Sequence, residues 1–359
     1  MQIKKNVTLA PLTTIQLGGR ARYFARCSSV DELREAIEYA REHGLKVHVL
    51  SGGSNTIFQD EGFDGLVVKI DLRGIEFGPV RSRPAEGTAT AAQGRPASNG
   101  MGDVVEAKVA AGEDWDSFVA ECVKRNLAGV ECMSGVPGSV GATPIQNVGA
   151  YGQQVSDVIV SIKTLEVATL RERVFQSSQC GFDYRSSRFK YEDAGKYIVT
   201  GVTYQLHLGG DPCVEYDKVR EAVVSLVTTS GVVTLGDVRD AVLGLRKKKS
   251  MVIDERDPNS RSCGSFFENM LVEDVPDSIG MPTFDENGRT RVSSAWLIEK
   301  AGFEKGYQQG GVGISPNHNL ALVNYGGTTK ELLELAEEIK AAVKEKFGVE
   351  LKREPVAAE

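Results

Sequence analysis

Residues 131–157, ECMSGVPGSVGATPIQNVGAYGQQVSD, constrain what this chain can fold into more than any other stretch. They hold five glycines (Gly135, Gly138, Gly141, Gly149, Gly152) and two prolines (Pro137, Pro144), set among mostly small or apolar residues and amides. Glycine admits positive φ and close backbone approach, and each proline fixes φ and withdraws a donor, so neither a helix nor a regular strand runs through here. A rigid loop with accessible backbone is expected, and backbone N–H groups suit phosphate oxygens. The spacing Gly135-x-x-Gly138-x-x-Gly141 is not the dinucleotide pattern GxGxxG, and no GxxxxGK[ST] occurs. Taken alone, the stretch fits a nucleotide cradle and a tight turn around a packed core equally well.

The bulk properties narrow the field. With ~100–200 residues per domain, a chain of 359 residues predicts two or three domains. A hydrophobic share of 41% and a charged share of 25% are those of a soluble globular protein with sizeable cores. No apolar run approaches the ~18 residues of a membrane span. The start MQIKKNVTLAPL has no apolar secretion segment, so a cytoplasmic location without membrane association is expected. Six cysteines without a CxxC and four histidines without an HxxxH predict neither a disulfide framework nor a metal site. A net charge of −7 argues against nucleic acid as partner. It leaves room for an anionic small molecule, which responds to the local field.

Read in order, the chain alternates helices and strands. Ser29-Val30-Asp31-Glu32 is a capping box opening an amphipathic helix over 30–43 that Gly44 stops. Lys46-Val47-His48-Val49-Leu50 reads as a strand entering the turn Ser51-Gly52-Gly53-Ser54-Asn55, and 65–70 as a second strand. Ligand loops sit at such strand ends in α/β folds. Residues 79–100 lack bulky apolar groups apart from Val80 and are expected to form a flexible surface insertion without assigned function. A strand over 104–110, a helix with Trp115, Phe118, Val119, Cys122 and Val123, and strands over 158–162 and 197–202 follow. Two helices are expected over 217–229 and from Thr234, the second ending in Arg246-Lys247-Lys248-Lys249. That run is either a solvated helix end whose cations suit the dipole or a basic lip for a phosphorylated substrate. Near Ser250 a new unit begins, with a short helix over 294–300 and a long one opened by Thr328-Thr329-Lys330-Glu331. The stripe Leu332, Leu335, Ile339, Val343 and Phe347 on the long helix is core.

Four stretches in this order resemble one family. They are Leu50-Ser51-Gly52-Gly53-Ser54-Asn55; the glycine-rich loop with Pro144-Ile145-Gln146-Asn147-Val148-Gly149-Ala150-Tyr151-Gly152; Phe182-Asp183-Tyr184-Arg185-Ser186-Ser187; and Gly264-Ser265-Phe266-Phe267-Glu268-Asn269. From about Pro11 to Val356 the chain resembles the UDP-N-acetylenolpyruvoylglucosamine reductases, the MurB flavoenzymes of peptidoglycan synthesis, in their tyrosine-loop type. The resemblance implies an α+β chain: a vanillyl-alcohol-oxidase/PCMH-type FAD-binding fold of two α/β lobes, 1–72 and 73–245, plus a C-terminal α+β substrate-binding lobe, 246–347. Residues 348–359 would return to the active site as a strand. It implies a monomer that binds FAD, with NADPH as co-substrate and UDP-N-acetylglucosamine enolpyruvate as substrate.

By the same likeness the FAD pyrophosphate sits on Gly52, Gly53, Ser54 and Asn55. Further cofactor contacts come from Gly135, Pro137, Gly138, Gly141, Ala142, Thr143, Gln146, Asn147, Gly149, Ala150, Tyr151 and Arg185. In the family reaction NADPH reduces the flavin, and hydride then passes to C3 of the enolpyruvyl ether, leaving charge on C2 and its carboxylate. Such chemistry needs a proton donor at C2 and groups that stabilise an enolate. Ser265 matches the proton donor. Arg185 matches an arginine able to grip a carboxylate through two parallel hydrogen bonds, with Tyr184 to orient it or to pack beside the flavin. Glu354 matches the assisting carboxylate. Tyr184, Tyr216, Lys249, Asn269, Lys305 and His318 correspond to substrate contacts, the two lysines facing the diphosphate and Tyr216 closing over the substrate. The chain departs from the family pattern at Cys263, Glu268, Met270 and Met281. It also stops at Ala357-Ala358-Glu359 without the usual apolar, glycine-containing tail; these departures leave open the details of uridine recognition and the anchoring of the C-terminal strand, and do not touch the chemistry. The alternative within the same wider fold is an FAD-dependent alcohol oxidase, which needs no enolate protonation.

Overall fold

The computed structural model describes residues 1–82, 102–226, 231–275, 280–286 and 289–358. The chain divides into two compact units. The first comprises Met1–Gln2, Ala25–Gly44 and Val68–Lys247, the second Ile3–Phe24, Leu45–Val67 and Lys248–Glu359.

In the first unit, helix α1 (Val30–Glu42) buries Leu33, Ala36, Ile37 and Ala40, the face that the periodicity predicts. Ser29 Oγ caps the Glu32 N–H at 3.1 Å, but the Glu32 carboxylate returns to Ser28 (N–H at 2.7 Å) rather than to Ser29. Arg34 pairs with Glu172 at 2.9 Å, and Arg41 donates to the carbonyls of Val167 and Ala168, fastening the helix to that turn. Helix α2 (Trp115–Lys124) starts at Asp114, whose carboxylate caps the Ser117 N–H at 2.8 Å. It buries Trp115, Phe118, Val119 and Cys122. An antiparallel sheet runs in the order Glu172–Gln176, Ile159–Glu166, Tyr197–Leu208, Asp103–Ala110, Ile75–Phe77, with Leu127–Ala128 added to Tyr197–Leu208. Tyr204 from its long strand packs with Trp115 and Phe118, centroids 5.1–6.0 Å apart, all three fully buried. The strand at 197–202 thus runs six residues further than the sequence predicts, and that at 158–162 starts one residue later and extends to Glu166.

Of the expected insertion at 79–100, Arg81–Ser82 is a short strand on Asp103–Ala110 rather than a loop, and residues 83–100 lie outside the described residues. Helices α3 (Asp217–Leu226) and α4 (Leu235–Lys248) close the unit through Val219, Val223, Val238, Ala241 and Val242, which pack on Cys132. Residues 227–229 of the expected helix also fall outside the described residues. The solvated-end reading of Arg246–Lys249 fails at its first residue: Arg246 is 8% exposed, because the apolar face of α4 carries it inward, whereas Lys247 and Lys248 are exposed.

The second unit holds most of a four-stranded sheet, ordered Ile3–Thr8, Arg20–Cys27, Phe63–Ile70, Lys46–Leu50. Helix α5 (Ser294–Lys300) has the predicted bounds. Helix α6 (Thr329–Phe347) has the predicted reciprocal cap between Thr328 and Glu331 and ends at left-handed Gly348. Leu332, Leu335, Ile339 and Val343 enter a core with Phe266, Phe267, Ile314 and Leu322, while Phe347 stays at its margin.

The anchoring of the tail, which the sequence leaves open, comes from backbone bonds. Glu354 N–H donates to the Phe266 carbonyl at 3.0 Å, Glu268 N–H to the Lys352 carbonyl at 3.0 Å, and Val356 N–H to the Asn55 carbonyl at 3.0 Å. Val356–Ala358 then pairs in parallel with Thr56–Phe58, and Ala358 is buried beside Phe58 and Phe63. Backbone pairing holds the tail.

Candidate active site

Each unit carries part of the expected site. In the first, the glycine-rich loop is pinned at intervals by the framework beneath it. Asp116 of α2 accepts the Gly135 N–H at 2.6 Å and pairs with Arg239 of α4 through two bonds of 2.7 and 2.8 Å. Burial disfavours the Asp116 charge, but these donors prevail and hold its carboxyl below the usual range. Trp115 Nε1 donates to the Met133 carbonyl at 3.1 Å, and Thr143 Oγ1 meets the Tyr204 hydroxyl at 2.9 Å. Ser187 Oγ donates to the Ile145 carbonyl at 2.6 Å. Asn147 donates to the Asp183 carbonyl at 3.0 Å and accepts from the Ser156 N–H at 3.1 Å.

This framework sorts the expected cofactor contacts. Gly135, Gly141, Thr143 and Asn147 are buried, and the N–H groups of Gly135, Gly141, Ala142 and Thr143 bond within the unit, the last three to Ala111, Ser139 and Val140. Pro137, Gly138, Ala142, Gln146, Gly149, Ala150 and Tyr151 keep partial exposure. Gly149 is required where it stands: a Cβ would lie 2.8 Å from the Gln153 carbonyl and 3.2 Å from Arg185 Nη1.

Arg185 donates from Nη2 to the Gly149 carbonyl at 2.8 Å, and its guanidinium lies 4.9 Å from the Tyr184 ring centroid. Asn147, Tyr151 and Arg185 are all left-handed, at φ 45°, 49° and 48°. Such strain costs ~1–3 kcal/mol each and concentrates at functional sites. Tyr151 meets Tyr216 edge to face at 5.4 Å, and burial raises the Tyr151 pKa. Tyr216 itself is 43% exposed at the start of α3. Buried Arg246 has its charge disfavoured by burial, opposed by Tyr151 and Asp116.

The second unit gathers two of the four motif stretches, Leu50–Asn55 and Gly264–Asn269. The turn Gly52-Gly53-Ser54-Asn55 follows strand Lys46–Leu50; Gly53 has φ 71°, and a Cβ there would lie 2.1 Å from the Leu12 carbonyl. Gly52, Ser54 and Asn55 stay partly exposed. Asn55 Nδ2 donates to the Glu354 carbonyl at 3.3 Å, and Glu354 N–H reaches Phe266, the residue after Ser265. Backbone bonding thus brings the Gly-Gly-Ser-Asn turn, the Gly-Ser-Phe-Phe motif and Glu354 together. Ser265 and Glu354 are both partly exposed. Cys263 is 6% exposed, and burial together with the Glu354 charge pushes its thiol up to about 12, so it acts as a small core residue.

The expected substrate contacts here are less uniform. The Asn269 side-chain oxygen accepts the Ser294 N–H at 3.1 Å, opening α5, and its carbonyl accepts from Arg291 at 2.9 Å. Lys249 is partly buried and Lys305 exposed. His318 Nδ1 accepts the Leu320 N–H at 3.2 Å in partly buried surroundings. The sequence reading missed Asp116 and Arg239, which stand 123 residues apart and carry no local signature. It also missed the inward turn of Arg246, although the apolar spacing of α4 signalled it. Among the described residues no group of three or more His, Cys, Asp or Glu is placed to hold a metal.

Comparison with known proteins covers both units. A model of the C-terminal domain of UDP-N-acetylenolpyruvoylglucosamine reductase matches residues 257–358, and an FAD-binding-domain model matches 21–99 and 102–172. The UDP-N-acetylenolpyruvoylglucosamine reductase of Thermobifida fusca (strain YX) is 42% identical over 98% of this chain and 97% of its own. That of Saccharopolyspora erythraea is 39% identical over 97% and 93%. A crystal structure of UDP-N-acetylenolpyruvylglucosamine reductase (MurB) from Thermus caldophilus aligns over 100% of both chains at a TM-score of 0.65 and 22% identity, a likeness of fold.

Proposed function

Because this chain belongs to the UDP-N-acetylenolpyruvoylglucosamine reductase family, we propose that it is an FAD-dependent oxidoreductase converting UDP-N-acetylenolpyruvoylglucosamine to UDP-N-acetylmuramate, with NADPH as reductant. The observation that carries this reading is the end-to-end match at 42% identity with a reductase of that name. The product is a peptidoglycan precursor, which links the protein to cell-wall synthesis, cell shape and division. No described helix is long and apolar enough to cross a membrane; a cytoplasmic monomer completes the proposal. Lobes 1–72 and 73–245 would serve FAD and lobe 246–347 the substrate, with 348–359 delivering Glu354.

The residues present fit FAD. The turn after Lys46–Leu50 bends at positive φ and leaves Gly52, Ser54 and Asn55 accessible, and the outer row of the glycine-rich loop does the same over a fixed inner row. Both segments fall inside the matched FAD-binding domain. Bound FAD supplies the hydride for C3 of the enolpyruvyl ether.

The remaining work belongs to the chain. Arg185 holds the substrate carboxylate, its guanidinium already set by the Gly149 carbonyl and the Tyr184 face. This concentrates positive charge where the negative charge develops. Ser265 gives its hydroxyl proton to C2, and Glu354, fixed through its own backbone N–H, assists at the same carbon. Lys249 and Lys305 meet the diphosphate, Asn269 and His318 complete the contacts, and Tyr216 covers the sugar nucleotide. An alcohol oxidase would leave Ser265 and Glu354 without a task, and the relatives named above are all reductases.

An anaerobic visible spectrum tests the reading. NADPH should bleach the flavin band, and the enolpyruvyl sugar nucleotide should restore it without oxygen. Recovery with oxygen alone would favour the oxidase, and no flavin band after FAD addition would end both readings.

A further inference from the structure

Glu131, at the head of the glycine-rich loop, has 0% exposure. Its Oε1 accepts from Gln153 Nε2 at 3.0 Å and from the Cys213 N–H at 3.0 Å, and its Oε2 accepts from the Gly129 N–H at 2.8 Å. All three partners donate, which matches an acceptor-only carboxylate and meets the condition for keeping such a group buried. The following residue joins the same two segments again: Cys132 N–H donates to Gln153 Oε1 at 2.8 Å, and its thiol to the Cys213 carbonyl at 3.3 Å.

The joined segments carry the two tyrosines of the site. Gln153 stands two residues after Tyr151, in the hairpin where Ala150 pairs with Gln153, and Cys213 stands three residues before Tyr216. The tyrosine rings meet at 5.4 Å with an interplanar angle of 78°. Tyr151 keeps its left-handed backbone there, a conformation that persists only where surroundings enforce it. On the apolar side, Cys132 lies in the cluster of α3 and α4 against which Tyr151, Cys213 and Val214 rest.

We infer that Glu131 is a positioning residue for sugar-nucleotide binding: by holding Gln153 and Cys213 on one oxygen it sets the Tyr151–Tyr216 pair, and through it the residue that covers the substrate. The inference rests on the covering role proposed for Tyr216. Glu131 touches no reacting atom; its effect passes through Tyr216, and that makes it separable from a role in stability alone.

The test is calorimetric titration of the enolpyruvyl UDP-sugar into the oxidised, FAD-loaded protein without NADPH, so that nothing turns over. Glu131→Gln places an amide donor where an N–H donor already points. It is expected to weaken binding about tenfold, in the range of couplings between contacting residues, with the flavin retained. Tyr216→Ala should weaken binding to a similar extent. In the Tyr216→Ala background the added Glu131→Gln change should cost less than about twofold. Wild-type affinity for Glu131→Gln, or losses that multiply in the double variant, would overturn the inference. Should Glu131→Gln lose its flavin, Gln153→Met, which removes the link on the Tyr151 side, enters the same cycle and the same outcomes decide. A wild-type protein that binds no sugar nucleotide would refute the proposed function itself, a result distinct from additive losses.

Discussion

Gly135, Ile145 and Gly149 in the glycine-rich loop are fastened by the side chains of Asp116, Ser187 and Arg185, whereas Glu354 and Val356 in the tail are fastened by their own N–H groups to Phe266 and Asn55. Both segments are irregular or nearly so, and both carry proposed site residues. Side-chain fasteners can hold an irregular backbone that carries no ladder, but each can be lost by one substitution. Backbone fasteners ignore side-chain identity, so the attachment of the tail through Glu354 and Val356 does not depend on their side chains.

The sharpest test of that separation is Ser265→Ala, beside the backbone-held tail. Flavin reduction by NADPH should persist, while reoxidation by the enolpyruvyl substrate in stopped flow falls by about 10²–10⁴-fold, the usual worth of a positioned proton donor, with an unchanged unfolding transition. An altered transition would mean that Ser265 is part of the fastening.

A second test uses pH. His48 packs edge-on to Phe58 and Phe63 at centroid distances of 5.1 and 5.9 Å, and burial lowers its pKa from 6.5 to about 4. Its folded pKa lies below the unfolded one, so its contribution is complete above pH 6.5 and is lost as pH falls toward 4. At ~1.4 kcal/mol per unit the loss is about 3 kcal/mol. Because Phe58 belongs to the strand that pairs with the tail, amide protection in Val356–Ala358, taken relative to the intrinsic exchange rate at each pH, should fall in acid before protection in the glycine-rich loop does. His48→Leu should flatten that difference; a simultaneous loss of protection in both regions would contradict it.

Smaller effects separate the two modes of attachment. Val356→Pro removes the N–H that reaches Asn55 and should cost about 2 kcal/mol in urea unfolding, whereas Val356→Ala, at a half-exposed position, should cost under about 0.5 kcal/mol. In the loop the order reverses in kind. Asp116→Asn keeps an acceptor for Gly135 but weakens the Arg239 pair, and with both side chains partly exposed the cost should be about 1 kcal/mol, with weaker FAD retention on gel filtration. Equal sensitivity of the tail to both Val356 changes would erase the distinction.

The same contrast explains what could be read from the chain beforehand. Helices α1, α5 and α6 were legible because their signals are local: Ser29 and Thr328 start them, apolar residues recur at helical spacing, and Gly44, Gly302 and Gly348 follow the ends. The motifs around Gly52, Arg185 and Ser265 were legible through family likeness, and their placement on turns agrees with their glycines. Asp116 and Arg239 were not, since an ion pair between residues far apart in sequence leaves no pattern in either neighbourhood. Glu131 was hidden in the same way, as one acid in an apolar run. The anchoring of the tail stays open in the sequence because a parallel backbone ladder has no side-chain signature.

The discontinuity of the second unit bears on how the protein reaches its native state. Its three segments enclose Ala25–Gly44 and Val68–Lys247, and its internal bonds span long stretches: Thr14 to Ser262, Thr329 to Phe58 and Asn324 to Ile15 join residues 248, 271 and 309 apart. Loop-closure entropy must be met before such contacts return anything, so contact order makes this unit the slow step of refolding. The first unit draws most of its bonds from one continuous segment and is expected to form earlier. Until Ile15, Phe58 and Phe266 find their partners, apolar segments of the second unit stay open to intermolecular association, and dilution during refolding should raise the yield of that unit more than that of the first.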